Sequence, residues 1–165
     1  MTTQTLPEDP LRHPAIVNVA QRLQTMGATG SVTVLPDSAR TAAQAAAGLG
    51  CDVGAIANSL IFDGDGSPVL ILTSGGHRVA TDRVAATIGV TRLRRADPDF
   101  VRTHTGQVIG GVAPLGHPAP LPTYLDRALA AYPSIWAAAG HSHAVFNTTY
   151  DELLTLTGAR EIDVE

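Results

Sequence analysis

The run Thr105-Gly106-Gln107-Val108-Ile109-Gly110-Gly111-Val112-Ala113-Pro114-Leu115-Gly116-His117 holds the densest grouping of residues suited to chemistry. Paired glycines let main chain approach a ligand closely, and Pro114 stiffens the turn behind them, so peptide N–H groups there can face an anion or a carbonyl oxygen. The spacing matches neither a phosphate-binding loop of the G-x-x-x-x-G-K-[ST] kind nor a dinucleotide turn, and an ordinary connecting loop has similar composition. Imidazole titrates near neutrality and suits proton transfer; it stands at His117, just beyond the loop, and at His141 and His143, just beyond Gly140. His141 and His143 are expected to share one face of a strand. No cysteine or carboxylate lies at zinc-like spacing beside them, so no metal is expected there.

Other reactive types carry less. Cys51 lies next to a helix start, where a thiolate is favoured, yet no histidine neighbours it in sequence, and it reads as a packing residue. Asp63-Gly64-Asp65-Gly66-Ser67 faintly resembles a calcium loop, but its twelfth position is Ser74 rather than glutamate, so a plain turn is expected. No G-x-S-x-G elbow sets up a serine nucleophile. All 11 basic side chains are arginine, which excludes lysine as Schiff-base former or phosphate ligand. Arg92, Arg94 and Arg95 form the dense basic cluster and, with Arg78 or Arg83, are candidates for phosphate contact; a solvated strand face is the alternative.

The elements that must position these groups are legible from period and punctuation. Pro14 opens an amphipathic helix that Gly27 stops, Ser31–Leu35 alternates like a strand, and Ser38 is a candidate cap for an alanine-rich helix ending at Gly50. Asp52 is expected to cap a short helix, and Ser59–Phe62 with Pro68–Leu72 reads as a β-hairpin. A helix from Thr81 or Asp82 to Gly89, a strand over Arg92–Arg95, and a helix begun by Asp97-Pro98 and stopped by Gly106 follow. Pro114, Pro118, Pro120 and Pro122 exclude regular structure from the next segment. Strands are expected at Tyr124–Leu129, Ile135–Ala139 and Ala144–Phe146. Thr149 and Glu152 then form a capping box for a helix ended by Gly158, and Arg160–Val164 is a last strand. The result is a mixed α/β (α+β) domain, a mixed or barrel-like sheet with surrounding helices, without regular β-α alternation.

A chain of 165 residues with 44% apolar content can bury one core without a metal, and a single cysteine forms no intramolecular disulfide, which points to a reducing cytoplasm. Residues 1–12 read as a flexible polar leader without signal-peptide features, ahead of one domain over 13–165. No apolar run is long enough to span a membrane. A net charge of -4 argues against sequence-independent binding of long nucleic acid but leaves room for a short RNA end.

Several segments occur in the order seen in one family: Gly54-Ala55-Ile56-Ala57-Asn58-Ser59-Leu60-Ile61-Phe62, Ser74-Gly75-Gly76-His77-Arg78-Val79, the Thr105–Gly116 loop, Leu121-Pro122-Thr123-Tyr124-Leu125-Asp126, and Ala138-Ala139-Gly140. Over residues 30 to 165 the chain resembles the YbaK family of aminoacyl-tRNA deacylases, related to the editing domain inserted in bacterial prolyl-tRNA synthetases. The resemblance implies a hydrolase, needing no cofactor, that removes a mischarged and small amino acid from tRNA. Its partners would be the tRNA acceptor end and a synthetase. It also implies that the Gly110–Pro114 loop cradles the aminoacyl ester, with Ser59, Val112, Ala113, Pro114, Gly116, His117, Ala138, Gly140 and His141 around the substrate and Asp126 behind it. Such a second sieve has a rationale, because a synthetase pocket gains only about 1–3 kcal/mol per methylene.

The chain departs from that family's pattern where relatives commonly carry a lysine (here Asn58), a serine (here Ala138) and an acid (here Val145). The expectation is that Gly110 and Gly111 amides polarise the ester carbonyl while Asn58 donates a neutral hydrogen bond; the plain alternative for Asn58 is an amide capping a helix end. The runner-up function is a binding module of the same fold in which catalysis has lapsed, and a third is a general small-ester hydrolase.

Overall fold

Pro14 at the first helical position and His13, whose Nδ1 accepts the Ala15 N–H, start helix α1 (Pro14–Thr25), which buries Ile16, Val19 and Leu23. The molecule is described by a computed structural model over residues 12–36 and 41–165, so Ser38 and most of the expected leader lie outside the described residues. Strand β1 (Val32–Val34) follows. Helix α2 (Ala42–Leu49) is capped not by Ser38 but by Thr41, whose hydroxyl accepts the Gln44 N–H while Gln44 returns its side chain to Thr41. A 3-10 turn at Val53–Ala55 replaces the helix expected after Asp52, whose side chain makes no capping bond.

The hairpin is longer than its apolar runs suggest: β2 (Ile56–Gly64) and β3 (Ser67–Ser74) pair throughout, joined at Asp65-Gly66, both with positive φ. Asp63 accepts the Gly66 N–H and Asp65 accepts those of Thr91 and Arg92, which hold the Asp65 carboxyl below its usual pKa range. These carboxylates serve turns. Helix α3 (Thr81–Ile88), strand β4 (Leu93–Arg95) and helix α4 (Pro98–Thr105) follow, the last capped by Asp97.

After the irregular proline segment, β5 (Thr123–Asp126) stops short of Leu129, because Asp126 accepts the Ala128 N–H and bends the chain into a 3-10 turn. Strands β6 (Ile135–Ala138) and β7 (Ala144–Thr148), helix α5 (Tyr150–Thr157) and strand β8 (Arg160–Ile162) complete the chain. Thr149 caps α5, but Glu152 turns to Thr148 and to Thr29 ahead of β1, so only half of the expected box forms and the other half ties two segments together.

The eight strands make one mixed sheet in the order β1-β7-β6-β2-β3-β5-β8, with β4 also on β2. One layer packs α1 and α5 around Leu70, Leu72, Leu125 and Phe146; the other face packs α3 against Phe62 and Ile71, and α2 against Ile56 and Val145. Phe62, Phe146, Leu70 and Leu125 are at most 1% exposed, each worth about 1.5–3 kcal/mol of burial. Among the described residues no helix is long and apolar enough to cross a membrane.

Candidate functional site

Strand β2 changes neighbours along its length, and that change makes the site. It runs parallel to β6 only at Ile56 and Ala57, then antiparallel to β4 from Phe62 to Gly64, with the Ala96 N–H reaching the Ile61 carbonyl. Between these ladders the edge is open. Main-chain groups alternate along a strand, so the Ser59 N–H and C=O point to the same edge as the Ile61 carbonyl and face the opening.

A cavity of about 290 Å3 occupies the gap and reaches both faces of the sheet. Asn58 shares the face of Ile56 and α2, while Ser59 shares the face of Ala57 and Ile61, towards Val101 and Val112. Asn58 is half-buried in a strand, opposite Thr73, and is not a helix cap. Its side-chain amide makes no hydrogen bond to the described residues and opens into the cavity.

The glycine loop forms the opposite wall. Gly110 has φ +87°, a conformation that favours glycine, and nothing within 4 Å of where its Cβ would stand. Gly111 is held differently: a Cβ there would lie 2.7 Å from the His141 carbonyl carbon and the Ser142 nitrogen, so main chain packs on main chain. The Gly111 N–H donates to the Val108 carbonyl (3.0 Å), and the Ala113 N–H donates to Gln107 Oε1 (2.7 Å). That commitment removes Gly111 from the expected pair of donors. Gly110 and Val112 border the cavity with N–H groups that find no acceptor among the described residues.

Arg95 is the sole ionisable side chain among the described residues lining the cavity; it is exposed at the mouth and forms no ion pair among them. Arg94 pairs with Asp63 (3.5 Å), and Arg78 and Arg92 do not line the cavity. The rest of the wall is mixed: Ala57, Ala137, Ala138 and Val112 are small and apolar, Thr41 and Ser142 bring hydroxyls, and Trp136 adds an aromatic surface. The Ser59 hydroxyl oxygen is buried and has no hydrogen-bond partner among the described residues.

Of the residues expected around a ligand, Asn58, Ser59, Gly110, Val112, Ala138 and Arg95 come together. Others do not. Ala113 and Pro114 are buried beneath the loop, and Gly140 packs on α1, where a Cβ would press 2.8 Å from the Ala15 carbonyl oxygen. Gly116 and His117 line a separate hollow with Asn18 and Arg22. His117 Nε2 bonds the Ala113 carbonyl (2.8 Å), and burial lowers its pKa against that bond. His141 and His143 lie in the turn before β7 rather than on a strand; the His143 N–H donates to His141 Nδ1, and the His141 ring contacts that of His13. Among the described residues no group of three His, Cys, Asp or Glu side chains can hold a metal ion.

Asp126 is buried away from the cavity, accepting the Ser74 and Ala128 N–H groups and meeting His77 Nδ1 at 2.9 Å. Cys51 is half-buried, its thiol pKa raised by burial and by Asp52, which opposes thiolate formation. Sequence reasoning missed Trp136 and gave Ile109, Ser142 and the strut Gln107 no role of their own. The first three need tertiary pairing to be seen, whereas a buried amide between a helix stop and a glycine pair was a readable signal for Gln107.

Comparison with known proteins places these features among relatives. Residues 36–156 match the family described as the aminoacyl-tRNA editing domain. The Bacillus subtilis (strain 168) protein YwhH is 33% identical over 123 residues, covering 74% of this chain and 78% of that protein. A crystal structure provisionally described as a trans-editing enzyme for prolyl tRNA synthetase superposes with a TM-score of 0.87 at 44% identity, covering 93% of this chain and 98% of the other. The hypothetical protein APE2540 superposes at 0.81 with 27% identity, over 89% of this chain and 98% of that one.

Proposed function

The chain belongs to the aminoacyl-tRNA editing domain family, and from that premise we propose that the cavity between Asn58 and the Gly110 loop is where it cleaves its substrate. The activity is hydrolysis of the ester joining a mischarged amino acid to tRNA. The observation that carries the site is the gap in β2, which brings an amide side chain and two peptide N–H groups, none with a partner among the described residues, around one chamber.

In this reading the ester carbonyl lies against the Gly110 and Val112 N–H groups, and Asn58 donates to the substrate from the far wall. A preorganised donor aimed at developing oxyanion charge is worth about 2.7–4 kcal/mol in the transition state. Water adds to the carbonyl carbon, the C–O bond to the ribose breaks, and the amino acid leaves with one oxygen from water. In this reading polarisation of an already labile ester does the work; no imidazole or carboxylate among the described residues lines the chamber. Alanine and valine walls leave room for a short side chain, Trp136 offers a face on which the terminal base stacks, and Arg95 meets a phosphate at the mouth. The protein acts on tRNA in the cytoplasm, in trans to a synthetase.

The test is a panel of tRNAs misacylated with amino acids of increasing size, incubated with the purified protein. Release of a small amino acid above the spontaneous rate is expected. Binding without release would instead support a lapsed module, and turnover of simple esters alone a general esterase.

A further inference from the structure

The gap in β2 specifies more than a place for the ester. The β2–β6 ladder ends at Ala57↔Ala137, and one further rung would join the Ser59 N–H to the Ala138 carbonyl. That rung is not made, although both residues line the cavity. Ala139 donates to the Ala144 carbonyl on the β7 side, so alternation turns the Ala138 carbonyl towards β2. Two main-chain carbonyls, of Ser59 and Ala138, therefore flank one opening.

Main-chain polar groups of a sheet are obligatory hydrogen-bonders, and carbonyls without partners favour a ligand that brings donors. Among the described residues the wall supplies no carboxylate to attract a full cation. A group suited to this opening is compact, carries two or more N–H donors on one nitrogen, and need not be permanently charged. An α-amino group next to an ester fits: α-amino groups titrate at about 7.7–8.0, so such a nitrogen sheds its charge at little cost on entering the opening. It also stands one carbon from the carbonyl that the Gly110 loop must reach.

We propose that the missing β2–β6 rung is an α-amino recognition site, in which the substrate's α-amino group donates to the Ser59 and Ala138 carbonyl oxygens. This rests on the editing reading above and adds a selection rule to it. Free aminoacyl ends are accepted, whereas ends whose nitrogen is acylated, as in a peptidyl ester, or replaced by hydroxyl are rejected.

The experiment measures binding, so that it does not depend on turnover. Adenosine carrying an L-alanyl group in amide linkage at the 3′ position is titrated calorimetrically into the full chain, beside its L-lactoyl and N-acetyl-L-alanyl counterparts. Emission of Trp136, the single tryptophan and part of the cavity wall, reports occupancy. The alanyl compound should bind at least tenfold more tightly than both others. Equal affinity of the alanyl and lactoyl compounds overturns the proposal, even if the N-acetyl compound is weaker, because bulk alone then explains the loss. Failure of all three to bind also overturns it. A retained preference without hydrolysis of misacylated tRNA supports recognition and overturns only the hydrolytic reading.

Discussion

Adding one methyl group at Gly111 should separate the effect of loop position from that of loop donors. Its Cβ would stand 2.7 Å from the His141 carbonyl carbon and Ser142 nitrogen and 2.8 Å from the His141 Cα. Non-bonded heavy atoms prefer about 3.5–4.0 Å, so the loop must lift by roughly 1 Å, and the atoms in its way are main chain that cannot rotate aside. A displacement of about 1 Å at a reacting centre costs about 100-fold. Gly111→Ala should therefore lower kcat/KM for misacylated tRNA by about 100-fold, equivalent to about 2.7 kcal/mol at 1.36 kcal/mol per tenfold. Gly110→Ala is the control: space is open there, and only the φ of +87° opposes a side chain, at a cost of roughly 1–2 kcal/mol in stability. Its Tm should fall while its turnover falls less than that of Gly111→Ala. Steady-state deacylation and thermal melts on both variants decide the matter. A Gly111→Ala protein with the parent Tm and turnover within about threefold would refute the close seating of the loop on the 141–142 main chain.

Three further outcomes follow from individual groups. Ser59→Ala removes a buried hydroxyl that has no partner among the described residues and whose desolvation costs about 1–3 kcal/mol; thermal melts should show a higher Tm, and a lower one would mean that the hydroxyl is bonded. Arg95→Gln should weaken tRNA binding and flatten the slope of log K against log salt by about 0.7, the value for one single-strand phosphate, without changing amino-acid preference; an unchanged slope removes Arg95 from the interface. His117 has a folded-state pKa below its unfolded value of about 6.5, so the folded protein binds fewer protons. Its contribution to stability is fully present above pH ~6.5 and is lost as pH falls from there through the lowered folded value. Melts across pH 7.5 to 5 should show that loss, and His117→Gln should reduce it; identical profiles would place the acid sensitivity elsewhere.

Much of the fold was legible because its signals are local. Pro14, Asp97-Pro98 and Thr149 start helices where their chemistry demands, Gly50, Gly89, Gly106 and Gly158 end them in left-handed conformations, and the Asp65-Gly66 turn joins the longest strand pair. What stayed hidden depends on pairing between distant strands. Nothing local to Ile56–Gly64 shows that β6 leaves it after Ala57 and β4 takes over at Phe62, yet that exchange creates the cavity. The loop's composition drew attention to the glycine pair, but showed neither that Gly110 alone of the two borders the cavity while Gly111 is committed to Val108, nor that Gln107 fastens Ala113. His117 looked like part of the loop; its ring instead bonds the Ala113 carbonyl and lines the hollow beside α1.

The role of the chamber is tested most directly at Asn58, the wall residue whose side-chain amide, without a partner among the described residues, faces whatever the Gly110 loop holds. Deacylation kinetics of Asn58→Ala, measured on a tRNA carrying a small wrong amino acid, should show kcat/KM lowered by about 100- to 1,000-fold with Tm unchanged, the loss of one transition-state donor. Turnover equal to the parent protein would mean that the ester is cleaved somewhere else.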